Sequence, residues 1–144
     1  MSTARAQIRS VIERYVTAYR SGDTSYLRDI IAPEYVDHTV PAFGDGPDGV
    51  ARAIQAFHRG FSDVSCSLEQ CVCEGDSAAF RVVVAATHTG AFAGRPATGR
   101  RITWSAADFV RLRDGKLVEL WTVQDTLPLR LGIGVVREVS DGSS

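Results

Sequence analysis

The chain has 144 residues, 44% hydrophobic and 23% charged, with a formal net charge of -1. That length suits one domain with a core and an internal cavity, and leaves no room for a second domain. The near-neutral balance, without a long basic run, excludes the electrostatic footprint of a nucleic-acid binder, and no apolar run approaches the ~20 residues that span a bilayer. Met1 to Ser10 lacks the apolar stretch of a secretory leader, so the expected compartment is the cytoplasm. The odd set Cys66, Cys71 and Cys73 agrees with reduced thiols there.

In chain order, Ile8, Val11, Ile12, Tyr15, Val16 and Tyr19 recur at helical spacing and predict an amphipathic helix stopped by Gly22. Tyr26 to Ile31 predicts a short second helix ended by Pro33. Glu34 to Thr39 is extended and carries the pair Asp37-His38. Pro41 to Gly49 has loop composition, and Val50, Ala53, Ile54 and Phe57 restore the helical period up to His58. From Val64 the pattern turns to β, with strands over Ser65 to Cys73, Ala78 to Thr89, Arg101 to Arg113 and Leu117 to Asp125. Asp114-Gly115 is a hairpin turn signal. Residues 137–144 are small and polar and read as a flexible tail after a single domain over residues 1–136. Helices first and strands afterwards define an α+β class. The expected architecture is a curved, mainly antiparallel sheet closed by three N-terminal helices around a pocket.

The stretch from Thr87 through His88, Gly90, Phe92, Gly94, Pro96 and Thr98 to Arg101 resembles a segment of the SnoaL-like polyketide cyclase family. So does Phe109 to Trp121, with its Arg-Asp-Gly-Lys turn, and so do Asp125 and Leu131-Gly132. The resemblance implies a cone-shaped α+β barrel of the nuclear transport factor two-like superfamily. It also implies work on an aromatic polyketide, as cyclases or as hydroxylases of the same pathways. Fold alone does not choose between these.

Strand alternation puts Ile102, Trp104, Ala106, Asp108, Val110 and Leu112 on one face. A carboxylate on an apolar face is costly unless it is paired or does chemistry. Asp108 is therefore either an ion-pair partner of Arg81 or Arg101, or an acid–base group whose desolvation raises its pKa. The cyclases that the chain resembles carry a histidine at the position of Asp108. They carry an essential aspartate at the position of Thr122, the residue after Trp121. A threonine hydroxyl cannot act as the base for removal of a proton α to a carbonyl. Either Asp108 has taken over, or the reaction differs.

His38 is the expected proton donor, since an imidazole titrates near neutrality and the family topology implies a place at the pocket mouth; the alternative is a core histidine. Asp125 corresponds to a second family aspartate and is held as a catalytic reserve or a strand-end cap. Trp104, Thr122, Phe57, Phe61 and His88 are expected to bind substrate, with Phe43 and Trp121 as further aromatic candidates and ordinary core packing as the alternative for each. His58 ends a helix, where a cation is favourable, and reads as structural.

No CxxC or HxxxH pair, dinucleotide fingerprint, phosphate loop or nucleophile elbow occurs, so neither metal nor cofactor is expected. The reading that follows is a cofactor-free hydroxylase acting on an apolar, polycyclic substrate, with Asp108 as base and His38 as proton donor. Two alternatives stay open: an aldol-type cyclase with a relocated base, and a non-catalytic binding module. Val83, Ala85, Ala107 and Phe109 alternate with the pocket face and are too apolar for bare solvent, which predicts a homodimer through the convex side of the sheet.

Overall fold

A computed structural model describes residues 3–139. Helix α1 (Ala4–Ser21) opens with the Thr3 hydroxyl accepting from the Ala6 amide at 3.1 Å, and ends at Gly22, whose φ of 79° lets its N–H reach Ala18 O. Its buried face is Ile8, Ile12, Tyr15, Val16 and Ala18. Helix α2 (Leu27–Ile30) is a single turn, shorter than expected, because strand β1 (Ile31–Asp37) begins at once. Pro33 thus lies inside a strand. It is tolerated there because β1 is at the sheet edge and its pairing is irregular between Ile31 and Val36.

Pro41–Phe43 forms one 3₁₀ turn, and helix α3 (Gly46–Gly60) starts four residues before the expected Val50. Pro47 in its first turn suits a helix start. Gly49 belongs to the helix because the chain folds back so closely that a Cβ there would lie 2.1 Å from Gly44 O. Glycine density that reads as a loop is here a close backbone approach.

Strands β2 (Phe61–Glu74), β3 (Ser77–His88), β4 (Arg101–Arg113) and β5 (Lys116–Asp125) follow as an antiparallel run. The β4–β5 turn uses Asp114 at φ 53° and Gly115 at φ 77°, as its Asp-Gly pair predicts. Helix α4 (Leu127–Gly132) is a fourth helix that the sequence reading lacked; six residues are too few to show a period. It packs so tightly on β4 that a Cβ on Gly132 would meet Ile102 at 2.6 Å.

The sheet order is β1-β5-β4-β3-β2, with β1 parallel to β5 and the other pairs antiparallel. The α+β class and the curved, mainly antiparallel sheet agree with expectation. The strands do not close on themselves: β1 and β2 remain the two edges, so the barrel is completed by helices. One core cluster joins α1, α2, α3 and the sheet centre around Ile12, Ile30, Ile54 and Leu120. A second, around Phe61, Ala86, Ile102, Trp104, Leu129 and Ile133, seals the far end under α4. Arg137 to Val139 are exposed, and the rest of the expected tail lies outside the described residues.

Candidate functional site

The inner face of the sheet is built by alternation. The register sets Phe80, Asp108 and Thr122 in one cross-strand row, Val82, Ala106 and Gln124 in the next, and Val84 beside Trp104 in a third. All eight line a cavity of about 310 Å³, within the size range of small-molecule sites. Tyr15, Val16 and Tyr19 of α1 and Ala53, Ala56 and Phe57 of α3 form the opposite wall. Phe43, Phe92 and Leu129 add apolar cover, and Asp37 stands where β1 meets the cavity. Among the described residues, no lysine, arginine or histidine lines it.

Asp108 is 8% exposed, and its Oδ1 is fully buried without a hydrogen-bond partner. The ion-pair alternative is not realised: Arg101 binds Asp63 and Arg81 donates to Gln70. Burial pushes the Asp108 carboxyl up to about 6 from its ordinary 3.8. The Thr122 hydroxyl opposite it draws the other way, although no hydrogen bond of ordinary geometry joins them, and the negative charge of Asp37 adds to the rise. Thr122 itself is held through its amide, which donates to Thr39 Oγ1 at 3.0 Å.

Above the carboxyl, the rings of Tyr15 and Tyr19 meet edge to face at 5.2 Å. Burial raises both phenols, Tyr19 to about 12, so near neutrality they act as neutral hydrogen-bonding groups and not as bases. Trp104 is buried between Phe57, edge to face at 6.0 Å, and Phe61, tilted at 5.4 Å, giving one end of the cavity an aromatic lining.

Of the residues singled out from sequence, Asp108, Trp104, Thr122 and Phe57 come together here, with Phe43 at the margin. Phe61 lies one layer behind, its ring stacked 5.2 Å from Phe57. His88 is fully buried at the end of β3, outside the cavity; its Nδ1 accepts from the Thr98 amide and its ring packs on Phe61. His38 is not at the pocket mouth. It is exposed and stacked on Trp121 at 4.6 Å, on the outer side of the sheet, because Asp37 takes the inward position and the next residue turns away. Asp125 is likewise exposed and outside the lining, since Thr122 and Gln124 take the inward positions of β5. His58 behaves as a structural residue, its Nε2 2.6 Å from Tyr19 O.

Sequence reasoning missed Asp37, Tyr15, Tyr19 and Gln124 as lining residues. The two tyrosines were visible as part of the buried stripe of α1. Asp37 was visible as the neighbour of the histidine chosen in its place. Among the described residues no group of three or more His, Cys, Asp or Glu side chains is gathered as a metal would need.

A mainly apolar cavity between a curved sheet and its helices, with one desolvated carboxyl in its wall, defines a small-molecule pocket of the α+β type. The chain belongs to the SnoaL-like polyketide cyclase family, which it matches over residues 9–131. It is 30% identical over 112 residues to the aklanonic acid methyl ester cyclase DauD of Streptomyces sp. (strain C5), covering 74% of this chain and 69% of that one. Among solved structures it resembles TsrD from Streptomyces laurentii, with a TM-score of 0.86 and 30% identity, over 94% of this chain and 100% of the other. It also resembles AclR from Streptomyces galilaeus, for which hydroxylation is proposed, with a TM-score of 0.82 and 26% identity, over 96% and 87% of the two chains.

Proposed function

We propose that this protein is an aldol-type cyclase of aromatic polyketide biosynthesis. The observation that carries the reading is the unpaired, buried Asp108 in the wall of a mainly apolar cavity. Ring closure by aldol addition removes a proton α to one carbonyl, joins that carbon to a second carbonyl carbon, and protonates the oxygen left behind. Proton transfer is the only chemical assistance required, and a carboxyl near pH 6 exchanges protons readily at neutral pH. Trp104 and Phe57, set edge to face, offer aromatic surface to a polycyclic substrate. The likeness to an aklanonic acid methyl ester cyclase supports the same reaction class.

Oxygen insertion, placed first from the sequence, becomes the second reading. Thr122, at a position where the resemblance implies an aspartate in the cyclases, and the likeness to AclR favour it. One experiment separates the two. Aklanonic acid methyl ester is incubated with the protein with oxygen excluded, and in parallel under ¹⁸O₂. Cyclisation gives a product of unchanged mass in both; label in the product, with no reaction in the absence of oxygen, would replace the cyclase reading with the hydroxylase one. Binding without any conversion would leave the non-catalytic alternative.

Two further parts of the proposal concern setting. The outer face exposes Phe109 at 49%, Trp121 at 42% and Val123 at 66%, with Ala107 between them in the register, and is proposed to bury against a second copy. Three free cysteines fit a reducing, cytoplasmic setting, and no helix among the described residues is long and apolar enough to cross a membrane.

A further inference from the structure

Two carboxylates reach the cavity, and they stand on opposite sides of one strand. Asp37 of β1 is the register partner of Leu120, and Asp108 of β4 is the register partner of Thr122. Leu120 and Thr122 are successive inward residues of β5, and all four side chains line the cavity. Strand spacing and rise put the two aspartate Cα atoms roughly 10–12 Å apart, which leaves room between the carboxyl groups for a reacting centre.

Their surroundings are opposite in kind. Asp37 Oδ1 accepts from the amides of Thr39 and Val40, both at 2.9 Å, which fixes the orientation of its carboxyl group. Its Oδ2 takes no hydrogen bond among the described residues. Asp108 has no amide donors and no cation; the Thr122 hydroxyl stands opposite it in a mainly apolar wall, and its Oδ1 is buried and unpartnered. The other titratable groups lining the cavity, Tyr15, Tyr19 and Cys66, are neutral near neutral pH. Two carboxyls in such different surroundings, one held by amide donors and one buried without any, can divide the work of base and acid at one site.

We propose that Asp37 is a second catalytic carboxylate, taking the α-proton of the substrate while Asp108 delivers a proton to the accepting carbonyl oxygen across β5. The assignment rests on the ring-closure reading above. Asp37 takes the proton as the C–H bond breaks, and the electron pair passes into the enolate. The enolate carbon bonds to the second carbonyl carbon, whose π pair moves to oxygen, and that oxygen takes the Asp108 proton. Asp37 then returns one proton to Asp108 through solvent, so the net change is an isomerisation and both carboxyls are reset.

The test has one arm with the protein alone and one with substrate. In the first, the Asp108 carboxyl carbon is followed by ¹³C NMR against pH in the wild type and in Asp37→Asn. This variant keeps the oxygen that accepts from Thr39 and Val40, so the turn should survive. Removal of the neighbouring anion is expected to lower the Asp108 midpoint, and an unchanged midpoint overturns the pairing. In the second, aklanonic acid methyl ester is held in D₂O with each variant, and enzyme-dependent α-deuteration and ring closure are measured separately. D37N is expected to lose both by about 100-fold or more, whereas Asp108→Asn loses ring closure by a larger factor than deuteration. Deuteration that survives D37N overturns the assignment of the base. A wild-type protein that neither deuterates nor closes the ring sinks the cyclase reading and the base role together, with the titration arm still deciding whether the carboxylates are coupled.

Discussion

Asp108 sets the local energetics as well as the chemistry. Its carboxyl titrates at about 6 in the native state against an ordinary 3.8, because burial disfavours the anion. Below pH ~4 the group is neutral in native and unfolded chains alike, and the raised native value contributes its full relative stability there. That contribution is lost as pH rises through about 6, where a buried charge forms. At pH 8 the native anion then costs on the order of 2–3 kcal/mol relative to acid conditions. Asp108→Asn should therefore raise Tm at pH 8 and change it little at pH 4, measured by calorimetry at both values, while abolishing most of the ring closure. An equal shift at the two pH values would mean that the carboxyl is not desolvated. At the same scale, His38→Ala is expected to leave ring closure near the wild-type rate, because the imidazole stacks on Trp121 away from the cavity lining. A loss as large as that of D108N would bring His38 back into the mechanism.

At the scale of elements, the link between β3 and β4 closes the aromatic end of the cavity. The amides of Thr89 and Gly90 both donate to Gly60 O at 3.0 Å, and this double bond fixes the loop that carries Phe92 to the cavity. A Cβ on Gly90 would lie 1.9 Å from Arg59 O, a backbone atom that cannot step aside. Gly90→Ala should thus cost about 1–3 kcal/mol or more in urea unfolding, and it should weaken binding of a flat aromatic ligand as Phe92 shifts. Unchanged stability and affinity would show that the loop re-forms without this contact. The resemblance had marked Gly90 as part of a shared segment, but periodicity carried no hint of its role. The reason is that the constraint is a contact with Arg59, distant in sequence and set only when β2 pairs with β3. Helix α4 was illegible for a related reason: its stability comes from Leu129 and Ile133 packing into the second core cluster, not from a pattern within six residues.

For the whole molecule, the exposed row across the outer face leads to the clearest solution experiment. Phe109 and Trp121 face each other across β4 and β5, and Ala107 faces Val123 in the adjacent pair. Light scattering at micromolar concentration is expected to give the mass of a dimer, and Phe109→Lys is expected to give a monomer, since a charge in a buried apolar interface is strongly unfavourable. A wild-type monomer would leave the face without its proposed partner. Because the cavity opens on the other side of the sheet, the monomeric variant should retain ring closure if each subunit holds a complete site.

The sequence by itself determined the class of fold, the run of four antiparallel strands, the Asp-Gly turn and the inward face of β4. Each of these is written in local periodicity: the pleat sends Trp104, Ala106 and Asp108 to one side whatever their neighbours are. It thereby put Trp104 and Asp108 on one face, while Thr122 was marked by the resemblance and Phe57 as an aromatic candidate; all four line the cavity. Only the tertiary structure decided between Asp37 and His38, and between Gln124 and Asp125. Adjacent residues of a strand always face opposite ways, and which one faces inward depends on how β1 meets β5 and how β5 meets β4. The openness of the sheet was equally beyond local reading, because it depends on whether β1 and β2 meet and not on the composition of either. The two-carboxylate arrangement belongs to the same class: Asp37 and Asp108 are separated by about half of the chain in sequence, and β5 brings them to one cavity by pairing with both of their strands.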